Sequence, residues 1–159
     1  MGDDSAARVG REYPSAPMVG VAGVVVNGGD VLLIRRGREP MLGSWSLPGG
    51  VLELGETTGE GVVREVFEET GVRVRPVEIV ATLDRIVRDD AGRVQYHYVL
   101  VEWLCVPEAN FPVELVCGDD ATAAVWVSRR EIYSDAYGLM EPTLGVIERA
   151  LKLAETIGI

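Results

Sequence analysis

The apolar positions of this chain fall into short β-branched runs, with one helical stretch in the middle and another at the end. Val19 to Val26 and Val31 to Arg36 are aliphatic runs separated by Asn27-Gly28-Gly29-Asp30. That pattern predicts two strands joined by a tight hairpin. Val72 to Arg88 and Arg93 to Val106 read as two more strands, with Asp89-Asp90-Ala91-Gly92 as their turn. Ala123 to Ser128 predicts a short strand, and Ser128 is placed to cap a short helix over Arg129 to Tyr133. Trp45 to Val51 contains Pro48-Gly49-Gly50 and reads as backbone punctuation, not as an element.

Thr57 to Thr70 predicts a helix. Thr57 and Glu60 have the spacing of a capping box, and Gly71 stands where a C-terminal cap belongs. Val62, Val63, Val66, Phe67 and Thr70 fall on one side at helical spacing. Glu141 to Thr156 predicts a final helix with Leu144, Ile147, Leu151 and Ala154 along one stripe. Hairpins mixed with helices predict an α/β fold, a mixed sheet covered on two faces. Residues 1–17 read as an N-terminal arm and residues 18–159 as a single domain.

Composition narrows the function. The chain has 159 residues, 47% hydrophobic and 25% charged, which suits one globular domain with a self-sufficient core. Its formal net charge is −10. So acidic a surface repels polyanions and argues against long DNA or RNA as a partner. It would also repel a small phosphorylated substrate, so phosphate chemistry here needs cations at the site. Cys105 and Cys117 read as free buried thiols of a reducing cytosol. The longest apolar run, Val19 to Val26, is too short to span a bilayer, and Met1 to Pro17 holds Asp3, Asp4 and Glu12 without a signal-peptide core. A cytoplasmic protein without a membrane partner is expected.

The middle helix raises a question of charge. Glu65, Glu68 and Glu69 lie at i, i+3 and i+4 and share one face, roughly opposite the Val/Phe side. Their repulsion costs a few tenths of a kcal/mol per pair, and no lysine lies three or four residues away. Taken alone, such a helix ordinarily presents a solvated acidic face. The alternative is an external cation, and carboxylate oxygens suit Mg²⁺ or Mn²⁺.

The spacing around that helix is more specific. Gly50, five residues, Glu56, seven residues, Arg64-Glu65-Val66, one residue, Glu68-Glu69, one residue, Gly71-Val72 resembles the Nudix signature at every defined position. Chance agreement is on the order of one in ten million for average residue usage. Leu32 to Arg36 and Trp45 to Gly50 are similar to the family's opening strands and loop, and Val125-Trp126-Val127 to its late strand. The overall pattern resembles the ADP-ribose pyrophosphatase and MutT-like branch.

The resemblance implies a Nudix α/β/α sandwich in which the signature forms a loop-helix-loop. It implies a pyrophosphatase that cleaves a diphosphate linkage with Mg²⁺ (or Mn²⁺), by attack of an activated water on phosphorus. By position, Glu65, Glu68 and Glu69 are the metal-binding and catalytic carboxylates, and Gly50 offers its carbonyl to the metal. Glu56 either joins the metal shell or pairs with Arg64, which would orient the carboxylates. The general base is one of the signature glutamates or a carboxylate of the Gly118-Asp119-Asp120 loop. Gly61 projects onto the carboxylate face and would leave room for metal and phosphate. A homodimer is an oligomeric state the resemblance leaves open.

The substrate is a small nucleotide-like molecule. Arg35, Arg36 and Arg38 suit phosphate contacts or a solvated basic edge. Trp45 suits base stacking or the core, Asp120 a substrate contact, and His97 a polar gap in a strand. The proline that many ADP-ribose hydrolases carry some fifteen residues past the signature is replaced by Ile86 and Val87. The favoured substrate is ADP-ribose or a nucleotide sugar. A (d)NTP pyrophosphohydrolase acting on oxidised dGTP is the alternative, followed by a non-catalytic nucleotide sensor.

Overall fold

A computed structural model of the chain describes residues 10–159. Strands β1 (Met18–Asn27) and β2 (Asp30–Arg36) form the expected hairpin, with Asn27 opposite Asp30. The loop glycines Gly28 and Gly29 have φ of 57° and 90°, a conformation that side chains with a Cβ disfavour. The stretch read as punctuation instead carries two short strands, β3 (Trp45–Ser46) and β4 (Gly49–Val51). Each forms against an open edge, β3 on β2 and β4 on the first half of β1. Neither is long enough to show a period-two pattern of its own.

Strands β5 (Val74–Arg88) and β6 (Val94–Pro107) make a long antiparallel ribbon. β6 runs parallel to β1, and β7 (Ala121–Ser128) pairs antiparallel with β2. The sheet is therefore mixed, with β1 flanked by β6, β4 and β2.

Helix α1 (Thr58–Thr70) begins and ends as the capping residues dictate. The Thr57 hydroxyl accepts from the Glu60 amide at 3.1 Å, and the Glu60 carboxylate accepts from the Thr57 amide at 2.8 Å. Gly71 closes the helix in the left-handed region, with φ 74°. Val62 and Val66 of α1 pack on Val21, Val25, Leu32 and Cys105 on one face of the sheet. Helix α2 (Glu141–Ile157) packs Val146, Ile147, Ala150 and Leu151 on Val24, Val31, Leu33 and Leu104 on the other. The result is an α/β/α sandwich.

Four expectations need correction. The inner face of α1 is Gly61, Val62, Glu65, Val66, Glu69 and Thr70, so two of the glutamates lie on it and not opposite it. Phe67 is 47% exposed and sits under the Arg73 guanidinium. The helix can turn this way because β4 meets the Glu65 carboxylate at Gly50, which has no side chain. Cys117 is exposed, while Cys105 is buried and its thiol pushed up to about 12 by that burial. The short helix after β7 is a 3-10 turn over Glu131–Tyr133, beginning later than expected, although the Ser128 hydroxyl does accept from the Glu131 amide at 3.3 Å. Leu144 is only half-buried, and Val146 and Ala150 complete the inner stripe of α2.

Residues 1–9 of the expected arm lie outside the described residues. Its continuation lies along the β5–β6 ribbon: the Tyr13 amide donates to the Gln95 carbonyl at 2.8 Å, and the Gln95 side chain donates to Glu12 at 2.7 Å. No described helix is long and apolar enough to cross a membrane.

Candidate active site

The site grows from the contact between β4 and α1. A Cβ on Gly49 would fall 2.2 Å from the Val21 carbonyl oxygen, and one on Gly50 would fall 2.5 Å from the Glu65 carboxylate. Only glycine at 49 lets β4 lie so close to β1, and only glycine at 50 leaves room for the Glu65 carboxylate of the helix. The gap brings two carboxylates against backbone. The Gly49 amide donates to Glu69 Oε2 at 2.9 Å. Glu65 is 6% exposed and Glu69 4%. Burial raises the Glu65 carboxyl above the ordinary carboxylate range, against the pull of Arg64. It pushes Glu69 up to about 8. Both shifts record charges held out of water.

Arg64, four residues before Glu68, answers part of that repulsion. Its Nε and Nη2 donate to the two oxygens of Glu56 at 2.5 and 3.0 Å. Its Nη1 donates to Glu65 at 2.7 Å and to Glu68 at 3.3 Å, and Nη2 also reaches the Val51 carbonyl at 3.2 Å. This fork is the planar bidentate geometry that guanidinium offers and ammonium does not. Glu56 is held below its usual range first by that bond, and Arg64 is raised by the same bond. Of the two roles open to Glu56, the structure displays the pair with Arg64.

A loop from far along the chain adds another acid. The Gly118 amide donates to the Glu69 carbonyl at 3.2 Å, and the Val116 amide to the Thr70 carbonyl at 2.9 Å. A Cβ on Gly118 would come within 2.9 Å of the Glu68 carbonyl oxygen. The loop is thereby clipped to the C-terminal end of α1. Glu65, Glu68 and Asp119 each bring a carboxylate oxygen within 4.8 Å of the others. Glu65 Oε2 is buried with no hydrogen-bond partner among the described residues. Hard oxygen donors, an excess of negative charge and an orphaned buried acceptor fit a divalent cation. Glu69 stands apart from this trio, turned to the Gly49 amide.

Beside the carboxylates opens a cavity of about 570 Å³. Gly49, Gly50 and Glu69 line it, as do Arg36, Arg38 and Asp120. Arg36 donates to the Pro40 carbonyl at 2.8 Å, and Arg38 forms an ion pair with Asp120. Burial lowers the pKa of both arginines, as expected of cations drawn away from water.

The remaining sequence candidates lie elsewhere. Arg35 alternates to the other side of β2, is exposed and donates to the Gly43 carbonyl at 3.2 Å. Trp45 packs edge-on against Tyr137, 5.4 Å between ring centres, on the α2 side of the core. Neither lines the cavity. Gly61 leaves room for Leu52 rather than for an ion or phosphate, since its Cβ would meet Leu52 Cδ1 at 2.7 Å. Sequence reading also passed over Glu102, which lines the cavity and is 5% exposed. The available signal was a lone charge inside the apolar run from Tyr98 to Val106.

Comparison with known proteins points to one family. The NUDIX domain family matches residues 16–147. A MutT-like protein of Streptomyces ambofaciens is 39% identical over 125 residues, covering 77% of this chain and 72% of that protein. An ADP-ribose pyrophosphatase of Methanocaldococcus jannaschii is 35% identical over 108 residues, covering 68% of this chain and 60% of its own length. The crystal structure of a MutT NUDIX hydrolase from Burkholderia pseudomallei superposes with a TM-score of 0.68 at 26% identity, covering 85% of this chain and 98% of that one.

Proposed function

This chain belongs to the Nudix family, and from that premise we propose that it hydrolyses the diphosphate linkage of ADP-ribose or a nucleotide sugar with Mg²⁺ or Mn²⁺. The observation that carries the reading is the meeting of Glu65, Glu68 and Asp119 oxygens within 4.8 Å, one of the Glu65 oxygens buried and unpartnered, at the rim of a large cavity. A divalent cation at such a site supplies charge against pyrophosphate oxygens and lowers the pKa of water for attack on phosphorus.

The chain's own residues have separable tasks in this reading. Glu65, Glu68 and Asp119 hold the cation, with Glu69 and the Gly50 carbonyl at the same rim. Arg64 fixes Glu65 and Glu68 through its fork and is itself fixed by Glu56. Arg36 and Arg38 face the cavity as cations for the substrate's phosphates, and Asp120 holds Arg38 in place. Glu69, on the cavity wall with its carboxylate accepting from the Gly49 amide, is the group placed to exchange a proton with the attacking water. A volume of about 570 Å³ suits a two-part substrate such as a nucleoside diphosphate sugar. The ADP-ribose pyrophosphatase relative supports the same choice. The MutT-like relative favours a second reading, hydrolysis of a (d)NTP such as oxidised dGTP.

The test is a panel of ADP-ribose, nucleotide sugars, dinucleoside polyphosphates, (d)NTPs and 8-oxo-dGTP with Mg²⁺, read as phosphate released after phosphatase coupling. Turnover of ADP-ribose or a nucleotide sugar, abolished by chelation, is expected. Turnover of (d)NTPs alone selects the second reading. Binding without turnover of any substrate replaces both with a sensor.

A further inference from the structure

Among the described residues, Glu102 is the buried acid with no ion pair or hydrogen-bond partner at Oε2. It lies on β6, with Ala22 of β1 and Ala81 of β5 as its register partners, and Ala22 is in turn opposite Gly49 of β4. Cross-strand partners share a face of the sheet. Glu102 therefore stands in a row of the smallest residues, Gly49, Ala22 and Ala81, on the face that α2 covers. Small neighbours across the sheet leave its carboxyl open toward the cavity it lines.

Its polar atoms are not satisfied from within. Glu102 Oε2 is fully buried and has no hydrogen-bond partner among the described residues. Burial alone raises its carboxyl, to about 7, and no charged neighbour contributes. Arg36, Arg38 and Arg85 line the same cavity, yet none forms an ion pair with it. A buried acceptor left unmade is destabilising, and such groups in native proteins ordinarily answer to water or a ligand. Leu83 and Leu100, register partners on the same face of β5 and β6, line the cavity with Met140, while Arg36, Arg38, Glu69, Asp84, Arg85 and Asp120 put charge on its other walls. An apolar stretch of wall beside an unpartnered carboxyl suits a flat heterocycle that carries its polar atoms on one edge.

We propose that Glu102 is a specificity-determining residue that reads the amino edge of a purine base, where an exocyclic amine adjoins a ring nitrogen. Ionised, the carboxylate accepts from both donors of a guanine edge. Protonated, it gives a proton to the ring nitrogen of adenine and accepts from the adjacent amine. The inference rests on the nucleotide-binding reading of the cavity, but not on hydrolysis.

Calorimetric binding of ADP, GDP and purine riboside 5′-diphosphate in chelator, where turnover is suppressed, tests it. The purine compound lacks the amine of both others and offers no carbonyl in its place. Wild type is expected to bind ADP or GDP about tenfold or more tightly than the purine diphosphate, in keeping with the cost of an unpaired buried group. Glu102→Leu should bind all three within about twofold of one another, the apolar stretch of wall being kept. Which diphosphate wild type prefers separates adenine from guanine as the base. Should Glu102→Leu fail to fold, Glu102→Gln decides. A carboxamide offers one donor and one acceptor, so it keeps a preference for ADP and loses one for GDP. Equal binding of the three by wild type, no binding of any, or an amine preference that survives Glu102→Leu overturns the proposal. Amine-selective binding by a protein that turns over nothing leaves it standing while the hydrolase reading falls. Turnover in the substrate panel without base preference does the reverse.

Discussion

Gly50 and Glu65 are so closely opposed that a methyl group on the glycine would lie 2.5 Å from the carboxylate. The strand before the signature helix and the helix itself meet through a missing side chain. Gly50→Ala must push Glu65 away from Arg64 and Asp119, because the glutamate's tip is the movable partner. Turnover should fall by about 10- to 100-fold, the usual cost of disturbing the support of a metal site. Thermal unfolding should shift far less. Steady-state kinetics and melting curves on one preparation check both, and wild-type rates would show that Glu65 need not sit where the structure puts it.

Arg64→Lys keeps the charge and loses the fork. An ammonium cannot donate to Glu56, Glu65 and Glu68 with the same planar geometry. The variant should lose about 1–3 kcal/mol of stability from partners left unsatisfied. It should also lose turnover by tenfold or more, about the cost of mispositioned ligands. Chemical denaturation measures the first effect. A variant as stable and active as wild type would mean that the fork orients nothing.

Glu68→Gln and Asp119→Asn probe the carboxylate trio from the helix and from the loop. Each should cut turnover by about 10²-fold and weaken Mn²⁺ binding, read by titration calorimetry. Both should fold as well as wild type or slightly better, since each relieves like-charge repulsion. Mn²⁺ added to wild type should raise its melting temperature, and the two variants should blunt that rise. If Asp119→Asn leaves Mn²⁺ affinity untouched, the loop acid stands near the cluster without joining it.

Stability should also depend on pH through Glu102. Its folded carboxyl lies at about 7 against an ordinary 4.5. The native state thus holds the proton more tightly than the unfolded chain does. The associated stability is complete below 4.5 and is lost as the pH climbs through 7. In chelator, wild type should therefore melt at falling temperature between pH 5 and pH 8, and Glu102→Gln should flatten part of the decline. Glu69, pushed up to about 8, contributes a slope of the same sign that persists in the variant. A melting temperature that rises with pH in this window would contradict the burial of these acids.

What the sequence made legible was local. The Gly28-Gly29 turn and the Thr57–Glu60 capping box depend on residues a few positions apart, and both formed as read. β3 and β4 were missed because two or three residues become a strand only when a partner edge is present. Phe67 shares the helical spacing of Val63 and Val66, yet it faces outward, because the glycine backbone of β4 draws Glu65 and Glu69 inward instead. Spacing gave the signature glutamates. It could not tell Asp119 from Asp120, whose carboxyls part company only once the loop is folded, one beside Glu68 and the other on Arg38. Trp45 and Arg35 were separated from the cavity by strand alternation in a strand and loop whose register no local pattern fixes.

The two backbone hydrogen bonds that fasten Val116 and Gly118 to the end of α1 have an evolutionary corollary. Asp119 takes its place by measuring from the helix terminus, not by counting along the chain. Insertions or deletions between residues 109 and 114 should be absorbed at the surface, where most of those side chains are exposed. The same change between residues 116 and 120 would shift the acid out of register. Lineages could thus reshape the outer loop freely while the chemistry beneath stays in tune.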